Sequence, residues 1–126
     1  MSRPDKTDAL EGVWEMVRAE LGGAAAPDVV VQNTTIELAQ GEYRVRFRDE
    51  VMDRGSFELS DDPQAPLVLR GSVGPNSGRI IPCRYQLTGN RLRICYGLDG
   101  TTPAEFRTTE GRSRYLATYR RKSGHS

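Results

Sequence analysis

Every second side chain is apolar in Glu42-Tyr43-Arg44-Val45-Arg46-Phe47, with charge between, and the same period returns in Arg91-Leu92-Arg93-Ile94-Cys95-Tyr96. Only an extended strand repeats its side-chain direction every two residues, so each run is a strand with one dry face and one wet face. Shorter apolar runs follow the same habit at Phe57 to Leu59, Pro66 to Val73 and Tyr115 to Arg120. Between them fall turn formers, among them Ala39-Gln40-Gly41, Ser60-Asp61-Asp62-Pro63, Gly74 to Gly78, Thr88-Gly89-Asn90 and Gly97 to Pro103. There is no alternation of strand with helix. The pattern predicts strands at 12–20, 33–39, 42–48, 54–60, 66–73, 79–88, 91–97 and 114–121. Eight strands joined by tight turns in one small domain make an antiparallel up-and-down meander, and closing it into a barrel removes both exposed edges.

Length and charge narrow the classes of function. A chain of 126 residues has room for one core, expected over 10–121, with a flexible segment at 1–9 and a disordered tail at 122–126 that carries the only histidine, His125. Eighteen basic residues against seventeen acidic ones leave a net charge of +1, too little to draw the chain to nucleic acid or to an anionic membrane. Sixteen of the basic residues are Arg, which suits bidentate recognition of anions but equally reflects a genome that favours Arg codons. No apolar run has the length of a membrane span, and the first residues lack a signal-peptide core, so the expectation is a cytoplasmic protein. Two segments fit the strand scheme poorly: Leu21 to Asn33, a small-residue linker ending in an apolar triplet, reads as a lid or a loop with a short flanking strand, and Asp99 to Arg114 is a long connection.

The two cysteines, Cys83 and Cys95, can be placed by register. With Gly89-Asn90 as a two-residue turn, Thr88 faces Arg91, Leu87 faces Leu92, Tyr85 faces Ile94 and Arg84 faces Cys95. The two sulfurs then lie on opposite faces of the sheet, which excludes a disulfide and makes both small packed residues.

Several motifs occur in a fixed order: "LEGVWEMVRAELGG" near the start, "GSFELSDDPQAPLVL", "YQLTGNRLRICYG", "PAEF" and a closing "YLATYRR". In that order they resemble a family of small bacterial lipocalin-like domains, with Leu-x-Gly-x-Trp in the first strand and Pro-x-Glu-Phe before the last. The resemblance covers about residues 10 to 121 and implies a calycin-type barrel of eight strands. It also implies a latch, in which the Trp of the first strand closes the bottom of the barrel and a basic residue of the last strand covers its ring. The equivalents are Gly12, Trp14 and Arg120, or the neighbouring Arg121. No activity and no cofactor come with it.

A barrel of this size either holds one small ligand or is filled by its own side chains. The expected lining begins with Met16 and Arg18 on the first strand: the two-residue period from Trp14 and Met16 sends Arg18 inward, where it would need a carboxylate, hydroxyl or acidic ligand as partner, unless the strand bends and Arg18 reaches solvent at the rim. It continues with Tyr43, Val45 and Phe47, then Phe57 and Leu69, then Tyr85, Ile94 and Tyr96 of the hairpin, and Phe106 of the long loop. Such an aromatic cavity suits a small apolar or amphipathic molecule. Standard catalytic and metal-binding constellations are absent: there is no Ser-His-Asp set, no Cys-His pair and no cluster at metal-ligand spacing. Asp61-Asp62 reads as a solvated turn, and Glu105 as a loop salt bridge or, at the barrel mouth, an acid or base. Two other readings stay open: a barrel enzyme of the cyclase or isomerase type working through Tyr and Glu groups, and a ligandless module whose outer arginines, Arg44, Arg46, Arg48, Arg91 and Arg93, meet a protein.

Overall fold

A computed structural model describes residues 9–60, 66–106, 108 and 114–122. Nine strands form one sheet: β1 (Gly12–Leu21), β2 (Ala24–Ala25), β3 (Thr34–Ala39), β4 (Glu42–Phe47), β5 (Glu50–Leu59), β6 (Leu67–Val73), β7 (Ile80–Thr88), β8 (Arg91–Gly97) and β9 (Arg114–Arg121). Each strand from β3 onward pairs antiparallel with the next, β1 pairs with β3, and β1 also pairs with β9. That last pairing closes an eight-stranded antiparallel up-and-down barrel of the calycin kind, with β2 a two-residue annex on β1. The expected hairpin register holds between β7 and β8, including Arg84 opposite Cys95, and both cysteines are free and buried. Cys83 joins the interior, while Cys95 lies on the outer face with Arg84, whose Nε donates to the Pro103 carbonyl at 2.8 Å. No helix among the described residues is long and apolar enough to cross a membrane. Asp61, Asp62 and His125 lie outside the described residues.

Between β2 and β3 the chain forms one short helix, α1 (Asp28–Asn33). Pro27 precedes it in the extended conformation, Asp28 sits in the first turn, and Thr34 Oγ1 donates back to the Val30 carbonyl at 2.6 Å. The apolar triplet therefore becomes a helix, with Val31 packed against the core, rather than a flanking strand; the flanking strand is Ala24–Ala25.

The two ends of the barrel differ. At one end Trp14 is fully buried, its Nε1 donating to the Leu10 carbonyl at 2.9 Å. The Arg121 guanidinium lies 4.2 Å from the centre of the indole and donates to the carbonyls of Glu11 at 2.7 Å and Ala9 at 2.8 Å. The latch cation is thus Arg121 and not Arg120. Tyr115, Ala117 and Tyr119 face inward, and the period of two carries that direction to Arg121 while turning Arg120 out to an exposed ion pair with Glu15 at 3.7 Å. Gly12 makes room for the clasp: its φ is +134°, and a Cβ there would stand 2.9 Å from Arg121 Nη1. The opposite end is ringed by α1, the β4–β5 turn, the turn at 74–78 and the loop after β8.

Irregular pairing decides which side chains enter the barrel. Against β9, Met16 pairs with Tyr119 and Arg18 with Thr118, so Val17 is an extra residue on β1. The bulge reverses the alternation: Ala19 takes the buried position and Arg18 is exposed on the outside. Of the two positions expected for Arg18, the inward one is not found and the solvent one is, because an extra residue shifts every later side chain to the other face.

Candidate functional site

Below the open end, the interior holds a pocket of about 270 Å³. Its wall is mostly apolar, with Met16, Ile36, Val45, Leu69 and Ile81 below and Leu21 and Leu98 toward the mouth. Four tyrosines, Tyr43, Tyr96, Tyr115 and Tyr119, supply the aromatic part. Tyr96 and Tyr119 join hydroxyls at 2.8 Å, and the rings of Tyr96 and Tyr115 lie 5.4 Å apart and tilted by 36°. The Tyr115 hydroxyl reaches Met16 Sδ at 4.0 Å.

Three polar residues break this lining: Thr34, whose hydroxyl is spent on the Val30 carbonyl, Asp53 and Asn76. Asp53 enters because β5 alternates inward through Phe57 and Gly55 to Asp53, which pairs with Val45 of β4; Met52 beyond it is the extra residue of a second bulge. Asn76 enters because the turn at 74–78 folds back over β6. Gly71 permits this approach, since a Cβ there would stand 2.0 Å from the Asn76 carbonyl oxygen, and Gly78 N donates to the Gly71 carbonyl at 3.0 Å. Asn76 Nδ2 then donates to Asp53 Oδ2 at 2.7 Å, while Arg79 Nη1 donates to Asn76 Oδ1 at 3.1 Å and Nη2 to the Leu98 carbonyl. The network ties the 74–78 turn to the loop after β8 and leaves one carboxylate oxygen unused. Asp53 Oδ1 and the neighbouring Tyr43 hydroxyl are buried, and neither has a hydrogen-bond partner among the described residues. A buried polar atom without a partner costs about 1–3 kcal/mol, and here two stand at one spot.

Burial sets the ionisation of these groups. It pushes the Tyr43 phenol up to about 12, with the Asp53 carboxylate adding to the effect, and it raises the Asp53 carboxyl against the pull of its hydrogen bond from Asn76 and of the nearby Tyr43 hydroxyl. Tyr96 and Tyr119 are driven well up by burial first and by their tyrosine neighbours second. Burial alone raises Tyr115. All four tyrosines therefore stay neutral phenols near neutral pH, able to donate and accept hydrogen bonds.

Of the eleven side chains expected in the lining, Met16, Tyr43, Val45, Leu69 and Tyr96 meet in this pocket. Phe57 and Ile94 are buried core and Tyr85 packs against it half-buried, but none of the three reaches the pocket. Phe47 ends β4 half-buried, with the Arg48 guanidinium 5.2 Å from its ring centre. Phe106 is outside the barrel, under Arg93 at 4.6 Å, and Glu105 is exposed beside it. Arg18 and Phe106 instead border an outer cleft of about 480 Å³ with Glu20, Arg91, Arg93, Leu116 and Thr118. That cleft is larger and open on the outer wall, and two of its polar groups are engaged by neighbours: Arg93 donates twice to Gln86 Oε1, at 3.0 and 2.6 Å, and Glu20 accepts from Thr108 at 2.7 Å. The residues that sequence reasoning missed are Asp53, Asn76, Tyr115 and Tyr119. For Asp53 the signal was present, because the period of two counted back from Phe57 lands on it.

Fold and pocket together define a closed antiparallel barrel with an aromatic recess under its open end. No protein-family model matches the chain, and neither a curated protein nor a solved structure matches it.

Proposed function

We propose that the protein is a lipocalin-like carrier or sensor that holds one small amphipathic molecule in the pocket under the barrel mouth. The observation that carries this reading is the pair of partnerless polar atoms, Tyr43 Oη and Asp53 Oδ1, in an otherwise aromatic and aliphatic recess. Pockets for small molecules have that composition, a largely apolar wall with a few placed polar groups. Size supports a small guest: at about 30 Å³ of liquid volume per water, 270 Å³ is the space of about nine waters, or a molecule of about ten heavy atoms. Exposed apolar side chains occur where β1, β5, β6 and β7 reach the mouth, at Leu21, Val51, Met52, Val73 and Ile80, and they suit the entry of an apolar body. The resemblance to small bacterial lipocalin-like domains belongs to the same proposal, as does a cytoplasmic location, which two unbridged thiols suit. The outer arginines fit a solvated face, since Arg44, Arg46 and Arg70 pair with Glu37, Glu42 and Glu58 around the barrel wall.

The test is titration with 2-naphthol, a fluorescent amphipathic molecule of the right size, followed with wild-type protein and with Val45→Trp, which fills the pocket from β4. Saturable one-to-one binding that Val45→Trp weakens at least tenfold, with the folded spectrum retained, is the expected result. Equal binding by both proteins would place the probe elsewhere and remove the basis of the proposal.

A further inference from the structure

The polar spot in the pocket has a sign. Asp53 Oδ1 is an acceptor, and the ion pairs among the described residues leave Asp53 without a cation within 4 Å. Arg79, the basic residue bound to its neighbour Asn76, spends its guanidinium on Asn76 Oδ1 and the Leu98 carbonyl. Among the described residues, the other titratable groups that line the pocket are neutral near pH 7: Tyr43 on β4, Tyr96 on β8, and Tyr115 and Tyr119 on β9, with the Cys83 thiol of β7 near Tyr43 also neutral. A half-buried carboxylate with one oxygen shut off from solvent and no counter-ion is costly unless a cation is brought to it. The Tyr43 hydroxyl, 1% exposed as a residue and without a partner, offers a lone pair beside the same oxygen. Tyr96, Tyr115 and Tyr119 line the same pocket, and aromatic rings attract cations to their faces.

We infer that the pocket selects a small primary amine whose ammonium donates to Asp53 Oδ1 and to the Tyr43 hydroxyl while its apolar body lies among Tyr96, Tyr115 and Leu69. An ammonium carries three donors on a compact charge and so meets both orphan atoms at once, whereas an alcohol has one hydrogen to give. A carboxylic acid would set like charges together. The inference rests on the pocket being a small-molecule site, and it adds the chemical class of the guest.

The experiment compares phenethylamine with phenethyl alcohol, its neutral isostere of the same length, by calorimetry at pH 7 on wild-type protein, Asp53→Asn and Tyr43→Phe, with 2-naphthol as a third, uncharged guest. The expected result is that wild type prefers the amine at least tenfold, that Asp53→Asn brings the two guests level, and that Tyr43→Phe narrows the gap. Asp53→Asn keeps the shape and the acceptor facing Asn76, and a retained folded spectrum confirms that a loss is local. Equal affinity of wild type for amine and alcohol, with 2-naphthol still bound, overturns the amine inference and spares the pocket; it is the outcome expected if the Tyr43 hydroxyl simply turns to satisfy Asp53. No binding of any of the three guests overturns both.

Discussion

Replacing Arg121 by Ala removes the clasp over Trp14 while leaving the strand in place. Three interactions go with it. A guanidinium 4.2 Å from the centre of a buried indole is worth about 1 kcal/mol. The bond to the Glu11 carbonyl, at 2.7 Å and part-buried, contributes about 1.5 kcal/mol, and the exposed bond to Ala9 about 0.5 kcal/mol. Freeing the long side chain returns about 1 kcal/mol of rotamer entropy, so the net loss is about 2 kcal/mol. Arg120→Ala breaks only an exposed ion pair to Glu15 and costs about 0.5 kcal/mol or less. At about 3 °C per kcal/mol for a domain of this size, calorimetry should show Tm falling by about 6 °C for Arg121→Ala and by less than 2 °C for Arg120→Ala. Urea unfolding should give the same order with an unchanged m-value. Arg121→Lys, which keeps the charge but not the fork that reaches both carbonyls, should fall between wild type and Arg121→Ala. Two alanine variants that melt together would refute the reasoning, because in-and-out alternation along β9 is what separates them.

Trp14→Ala removes the ring itself from a fully buried site and should cost about 3–5 kcal/mol, read as a shift in urea midpoint; a variant of unchanged stability would contradict the latch. Gly71→Ala drives a Cβ into the Asn76 carbonyl, so the 74–78 turn must lift away, at a cost of about 1–3 kcal/mol and with 2-naphthol affinity reduced. The acid limb of stability carries two opposite signs. Asp99, held down to about 2 by its bonds from Thr101 and then by Arg114, contributes stability that is present above its unfolded value of 3.8 and lost as pH falls toward 2. Asp53, raised by burial, binds its proton earlier in the folded state than in the unfolded one, so its penalty at neutral pH is relieved as pH falls through its raised value. Urea midpoints against pH should therefore show Asp99→Asn less stable than wild type at pH 7 and converging with it near pH 2, while Asp53→Asn is at least as stable as wild type at pH 7 and loses that advantage in acid.

The barrel was legible because alternation is a direct image of a strand with one dry face. The hairpin of β7 and β8 could be registered residue by residue from its turn, and the separation of Cys83 from Cys95 followed. Arg18 was misplaced for a physical reason: a bulge inserts one residue without altering the local hydrophobic pattern, and Val17 looks like any other strand valine. Alternation also says whether a side chain points in but not how far along the barrel it stands, so Phe57 and Ile94 were grouped with Tyr43 and Leu69 although they do not reach the mouth pocket. Phe106 failed differently, since a loop carries no period and this one runs over the outer wall. The polar heart of the site was hidden because charge in a strand reads as solvent-facing. Counting back from Phe57 past the expected start of the strand at 54 would have put Asp53 inside, but nothing local announced that Gly71 would let Asn76 fold in to meet it.

The most direct measurement of the central claim, that a small molecule occupies the barrel interior, uses the methyl resonances of the three methionines. Met16 lines the pocket beside Tyr115, Met52 is exposed near the mouth, and Met1 precedes the barrel. With ¹³C-methyl methionine, titration of phenethylamine or 2-naphthol should move the Met16 resonance most, shift Met52 less and leave Met1 in place. Saturable binding with Met16 unmoved would put the guest outside the barrel and contradict the account.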